Sequence, residues 1–174
     1  MIVVSNHLFN TTNINMPYGT VVRVNLAWIK SKEEARKLLD ELEFDVYLDY
    51  PQGRTKPPKP VITIEQAIDL ANVCGNVKYF AVSNTEDSQS LNYIKSQLVN
   101  VIQIVPKIET ITGVRNLDVI FQNVLIKFVM LDKEDLYLDV NKDSKLYEEL
   151  VDTVRQKCKD NKIELLELQG VVFG

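Results

Sequence analysis

The stretch Val99-Asn100-Val101-Ile102-Gln103-Ile104-Val105-Pro106-Lys107-Ile108-Glu109 decides how this chain is read. Over 99–108 it is the most continuously apolar strand candidate, and such runs are buried on both faces, as the strands of a parallel sheet are. Lys107 and Glu109 stand two apart, so in a strand they project from the same face. A cation and an anion sharing a buried face need a reason. Either they form an internal ion pair that satisfies both groups, or a site uses them.

On both sides of this run strands and helices alternate. Apolar, β-branched segments predict strands over 1–9, 21–28, 44–50, 77–83, 124–131 and 163–173, the last broken at Gly170. Ser31 with Glu34 has the spacing of a helix-starting capping box, followed by Ala35, Leu38, Leu39 and Leu42 on one face. Thr63 with Gln66 repeats that signal before Ile64, Ala67, Ile68 and Ala71, and Gly75 is placed to end the helix. Thr85 is read as the cap of a helix carrying Leu91, Ile94 and Leu98. A short helix is expected over 113–121, and Ser144 or Asp143 caps one with Leu146, Leu150, Val154 and Cys158 inward. Alternating strand and helix units give a parallel sheet. The expected fold is therefore α/β with about seven mostly parallel strands.

Composition narrows the chemistry. The chain has 174 residues, 45% of them hydrophobic and 25% charged, which suits one soluble domain spanning 1–174. Apolar runs stop at about eight residues, far below the roughly 20 needed to span a bilayer. The segment 1–10 has no basic start, so neither a signal peptide nor a membrane partner is expected. A net charge of −4, from 20 basic and 24 acidic side chains, argues against nucleic acid as a partner. Cys74 and Cys158 form no closely spaced pair, which fits a reducing cytoplasm. With His7 the single histidine, chemistry falls to carboxylates, lysines and arginines.

In a parallel α/β fold ligands bind at the carboxyl ends of the strands. The polar residues there are Arg23 and Asn25, Asp49, Ser83, Lys107 and Glu109, and Asp135. Glu109 and Asp135, from adjacent strand ends, can hold Mg²⁺ or Mn²⁺. Beside such an ion, Lys107 stabilises negative charge developing on an oxygen. Arg23 reads either as an edge or barrel-end salt bridge or as an anion contact, since its fork suits a carboxylate or phosphate, and Asn25 shares its face. Asp132, Glu134 and Asp139 around Asp135 read as a solvated acidic loop, and His7 as structural.

Taken in order, these motifs resemble a known family. Arg23-Val24-Asn25, Leu48-Asp49 with Gly53-Arg54-Thr55, Lys107-Ile108-Glu109 followed by 113–118, and Asp135-Leu136 resemble the barrel domain of pyruvate kinase. Ile108-Glu109-Thr110 and Glu134-Asp135-Leu136 are also similar to elements of metal-dependent HpcH-type aldolases and citrate lyase β-type enzymes. The similarity covers nearly the whole chain and is most specific over 106–118. It implies a phosphoenolpyruvate/pyruvate-type (β/α) barrel with Glu109 and Asp135 on the divalent metal. Lys107 matches the lysine beside the transferring phosphoryl group, Arg23 an anion-contacting arginine, and Asn25 and Asp49 positions linked to a monovalent cation.

The chain also departs from that pattern. Glu134 replaces the glycine before the metal-binding aspartate, Leu168 a threonine, and Ala27 and Tyr50 the serine and threonine of the monovalent site. The ten residues 51–60 stand where pyruvate kinase carries a lid domain. A full barrel takes about 250 residues, so an incomplete TIM-type barrel is expected, about 75 residues short. Its open edges would be covered by 1–9, by 170–173 or by a second copy in a homo-oligomer.

The resulting expectation is a metal-dependent carbon–carbon lyase or aldolase acting through a pyruvyl enolate of a 2-oxo acid or phosphoenolpyruvate-like ligand. Lys107 and Arg23 are its catalytic candidates, and Arg23, Asn25, Asp49 and Ser83 its substrate contacts. The alternatives are a non-catalytic descendant that binds a metabolite or assembles with a partner, and a minimal phosphotransferase of pyruvate kinase type.

Overall fold

The computed structural model describes residues 1–5 and 18–167. Seven strands lie in one sheet in sequence order, each parallel to its neighbours: β1 (Ile2–Ser5), β2 (Thr20–Asn25), β3 (Asp45–Tyr50), β4 (Val77–Val82), β5 (Gln103–Ile108), β6 (Phe128–Leu131) and β7 (Glu164–Glu167). The helices are α1 (Lys32–Glu41), α2 (Ile64–Val73), α3 (Ser88–Gln97), α4 (Ile111–Arg115), α5 (Leu117–Asn123), α6 (Lys133–Asp139) and α7 (Ser144–Asp160).

The sheet is curled into an incomplete TIM-type barrel. Contacts between strands that are not neighbours show the curl. The Tyr47 hydroxyl on β3 donates to Met130 Sδ on β6 at 3.4 Å, and the Tyr79 ring on β4 stands edge-on to Phe128 on β6 at 5.5 Å. The backbone nitrogen of Met1 lies 2.5 Å from Glu164 Oε1, which brings the starts of the two edge strands together.

Strand alternation divides the core in two. Val22, Val24, Val46, Leu48, Phe80, Val82, Ile104 and Ile108 face the helices and bury Leu39, Ala67, Leu91 and Ile120 against the sheet. Their in-between neighbours Val21, Tyr47, Ala81, Val105, Met130 and Leu166 fill the barrel interior. Each large side chain buried in this way contributes about 1.5–3 kcal/mol.

The helix starts read at Ser31 and Thr63 hold. Thr63 and Gln66 form the reciprocal capping box, whereas at Ser31 only half of it forms: Ser31 Oγ accepts from the Glu34 amide at 3.1 Å, but the Glu34 carboxylate takes the Lys30 amide. Other boundaries move, each for a local reason. The strand expected over 99–108 starts at Gln103, because the Val99 amide donates to Asn72 Oδ1 and a turn follows. Val101 is accordingly 69% exposed. The strand expected over 21–28 stops at Asn25, whose side chain accepts from the Ala27 amide and opens one turn of 3-10 helix over Leu26–Trp28. The strand expected over 124–131 starts only at Phe128, since the Val124 amide still closes α5 on Ile120.

Thr85 does not cap α3: its hydroxyl donates to the Val82 carbonyl, and Asp87 accepts from the Ser90 amide instead. Gly75 keeps a negative φ, and α2 ends one residue earlier on the Cys74 amide. The helix expected over 113–121 is two, broken at Asn116, whose side-chain amide donates to the Glu86 carbonyl. The acidic stretch after β6, expected as a loop, is α6, with Asp132 as its cap. His7, Leu168 and Gly170 lie outside the described residues.

Candidate functional site

The interior row of each strand is apolar in its first half and polar at its carboxyl end. Two residues after Val21, Tyr47, Ala81, Val105 and Met130 come Arg23, Asp49, Ser83, Lys107 and Asp132, and Asn25 and Glu109 follow one step further. Parity in the strand thus brings residues separated by more than 80 positions to one end of the barrel.

Asp49, only 1% exposed, anchors the cluster. Its Oδ2 accepts from Arg23 Nε at 2.8 Å and Nη2 at 2.5 Å and lies 3.4 Å from Lys107 Nζ. Its Oδ1 accepts from Ser83 Oγ at 3.4 Å. Lys107 Nζ also donates to Ser83 Oγ at 3.0 Å and meets Glu109 Oε1 at 2.8 Å. Glu109 Oε2 takes the Asn84 amide at 2.7 Å. Lys107 and Glu109 therefore do pair, but neither pairs with the other alone.

Two cations and two anions balance in this buried group, and the balance sets their protonation. Burial would raise the Asp49 carboxyl, but the charges of Lys107 and Arg23 overcome it and hold Asp49 below its ordinary value. Burial likewise opposes the Lys107 ammonium, and Asp49 and Glu109 outweigh it, so Lys107 is raised. For Glu109 burial wins over Lys107, and the carboxyl is pushed up. Burial, with the Asp49 charge beneath the site, holds the Tyr47 hydroxyl protonated.

At the edge of this cluster one carboxylate oxygen each from Glu109, Asp132 and Asp135 lie within 4.8 Å of one another. Asp132 is fixed twice: its amide donates to the Ile108 carbonyl, and its Oδ1 accepts from the Asp135 amide at 3.3 Å. Asp135 stands in the first turn of α6, one turn beyond the strand end expected for it. Its carboxylate meets the ammonium of Lys56, from the proline-rich loop. Glu134 points to solvent and does not enter the site. Three hard oxygen donors, one of them buried, form a donor set that suits Mg²⁺ or Mn²⁺.

A cavity of about 290 Å³ opens over these groups. Arg23, Asn25, Ser83, Lys107 and Glu109 line one side, and Thr55 and Lys56 line another. Asn25 is on the wall with its Oδ1 already bound to the Ala27 amide, and Asp49 lies beneath. Six residues singled out in the sequence, Arg23, Asn25, Ser83, Lys107, Glu109 and Asp135, thus border one cavity. Asp132 and Lys56 were not singled out. The first had a signal, its even spacing from Met130; the second had none.

No protein-family model matches the chain, and no curated protein matches it in sequence. Solved structures do match. A structure titled RipC from Yersinia pestis superposes with a TM-score of 0.66 at 12% identity, over 95% of this chain and 73% of that one. A structure titled citrate synthase SbnG gives 0.71 at 13% identity, over 87% and 69%. An HpcH/HpaI aldolase/citrate lyase family protein from Burkholderia cenocepacia gives 0.65 at 8% identity, over 84% and 70%. These likenesses, all under 25% identity, bear on the fold: a curled, incomplete TIM-type barrel of seven parallel strands.

Proposed function

We propose that the chain binds a divalent ion, Mg²⁺ or Mn²⁺, with a small 2-oxo acid or phosphoenolpyruvate-like ligand, and makes or breaks a carbon–carbon bond next to a pyruvyl enolate. One observation carries this reading: the carboxylate oxygens of Glu109, Asp132 and Asp135 converge beside Lys107, in a cavity that Arg23 also lines. Two of the three solved neighbours are named for aldolase, lyase or citrate synthase chemistry, which supports the same class.

When bound, the ion would supply positive charge next to an oxygen that turns anionic. Lys107, kept protonated by Asp49 and Glu109, holds its proton at Nζ and offers that oxygen a second positive partner. Arg23 presents a guanidinium to the carboxylate or phosphate of the ligand. Asp49 positions both cations, and Ser83 and Asn25 offer hydrogen bonds from the wall. The small cavity favours a compact acid.

Titration calorimetry with Mg²⁺ and oxalate, an enolpyruvate mimic, tests the site. Binding by the wild type that is lost in Glu109→Gln supports it. No binding by the wild type, or equal binding by the variant, sinks it.

A second reading is a non-catalytic descendant that binds a metabolite or assembles with a partner enzyme. The observation in its favour is that Glu109 and Asp135 each already face a lysine. Binding of oxalate with no turnover of any 2-hydroxy or 2-oxo acid would select it. Under either reading the β1 and β7 edges call for a cover, and of the covers expected, 1–9, 170–173 or a second copy, we propose the second copy; light scattering of a monomer would contradict this.

A further inference from the structure

The loop after β3 is built to present one cation. The Arg54 guanidinium is spent inside the loop, with Nε donating to the Pro58 carbonyl at 3.1 Å and Nη2 to the Pro57 carbonyl at 2.9 Å. Asn84 Nδ2 fastens the other end by donating to the Gln52 carbonyl at 2.8 Å. Gly53 sits at a φ of +66° against the Asn84 side chain, a turn that favours glycine. Lys56 is then carried across the cavity to the carboxylate of Asp135, 79 positions away.

Asp135 is one of the three carboxylates that converge, so Lys56 puts a monovalent cation on a group that a divalent ion needs. We infer that Lys56 is a built-in competitor of the metal: the ion and the ammonium take Asp135 in turn, and metal binding releases Lys56 into the cavity mouth. This rests on the metal reading above and adds to it a residue that gates the site. The alternative, Lys56 as a helper that stays on Asp135 as the enclosed Lys107 stays on Glu109, predicts weaker ion binding once Lys56 is removed; the exposure of Lys56, which leaves it free to swing away, favours the competitor role.

The pair is partly exposed, 56% at Lys56 and 41% at Asp135, so its contribution is that of a surface ion pair. Removing that competition should tighten divalent binding about three- to tenfold. Lys56→Ala should fold normally, since the side chain is exposed and the loop is held by Arg54 and Asn84; its circular dichroism and urea midpoint check this.

The experiment is Mn²⁺ titration calorimetry on wild type, Lys56→Ala, Lys56→Arg and Glu109→Gln, together with the rate of Lys56 acylation by an activated ester, read by mass spectrometry with and without Mn²⁺. The expected result is tighter Mn²⁺ binding in Lys56→Ala, near wild-type binding in Lys56→Arg, and faster acylation of Lys56 when Mn²⁺ is added to the wild type. Equal or weaker binding in Lys56→Ala, with the wild type and not Glu109→Gln binding Mn²⁺, overturns the competitor role and leaves the metal site standing. Mn²⁺ binding by none of the proteins, or equally by all including Glu109→Gln, overturns both.

Discussion

The two halves of the barrel interior use the same strands and the same side-chain parity for opposite ends. In the lower half Val21, Tyr47, Ala81, Val105, Met130 and Leu166 make an apolar plug. Two residues further along each strand, Arg23, Asp49, Ser83 and Lys107 make a buried charge cluster. The apolar half contributes stability through area removed from water. The charged half gains little net, because desolvation of Arg23, Asp49, Lys107 and Glu109 offsets their attraction, and removing one of them leaves its partner buried and unbalanced. In the lower half the cost of a substitution follows the atoms removed; in the upper half the loss of one charge costs more than its few atoms would.

The largest effects should come from breaking each half. Tyr47→Ala removes the bulkiest side chain of the plug and should cost about 3–5 kcal/mol by urea unfolding. Asp49→Ala leaves Arg23 and Lys107 without their shared partner and should cost a similar 3–5 kcal/mol although it deletes few atoms. The two should then separate by rescue. Tyr47→Phe, which keeps the ring and loses only a hydroxyl bonded to sulfur, should recover most of the loss, whereas Asp49→Asn should not. If Asp49→Asn is as stable as the wild type, the ionic account of the upper half fails.

A pH series sharpens the same contrast. The Asp49 carboxyl is lowered in the folded chain from its ordinary 3.8. The stability it adds is therefore fully present above that ordinary value and is lost as the pH falls through the lower, folded value. The advantage of wild type over Asp49→Asn should be flat near neutrality and collapse below pH 3.8, while the cost of Tyr47→Ala should not change over that range. Urea midpoints of the three proteins between pH 7 and pH 2.5 provide the check.

How much of this was legible depended on the range of the signal. Helix starts at Ser31 and Thr63 are written within four residues, and both were readable. Strand parity placed Lys107 and Glu109 on one face, and the interior holds them so. Strand ends are not legible where a side chain intervenes from far away or from just beyond: Asn72 holds Val99 out of β5, and Asn25 turns the chain after β2. Asp132 carried the same parity signal as Lys107, but a dense acidic run hid it, since four carboxylates within eight residues look alike until a helix sorts them into Asp132 and Asp135 facing in and Glu134 facing out. Lys56 could not have been found at all, because nothing local ties residue 56 to residue 135.

The smallest predicted effect sets the two lysine pairs of the site against each other. Lys107 with Glu109 is enclosed, at 4% and 3% exposure, and Lys56 with Asp135 stands in water. Solvent and salt screen the outer pair, so Lys56→Ala should change stability by less than about 1 kcal/mol, and the change should fade on going from 0.05 to 0.5 M NaCl. Lys107→Met should cost several times more and show no such fading, because ions do not reach a buried pair. Urea unfolding of both variants at the two salt concentrations decides the matter. A salt-insensitive loss at Lys56 would mean that the loop is part of the folded core rather than a cover over it, and the cavity mouth would then be fixed instead of open to exchange between lysine and metal.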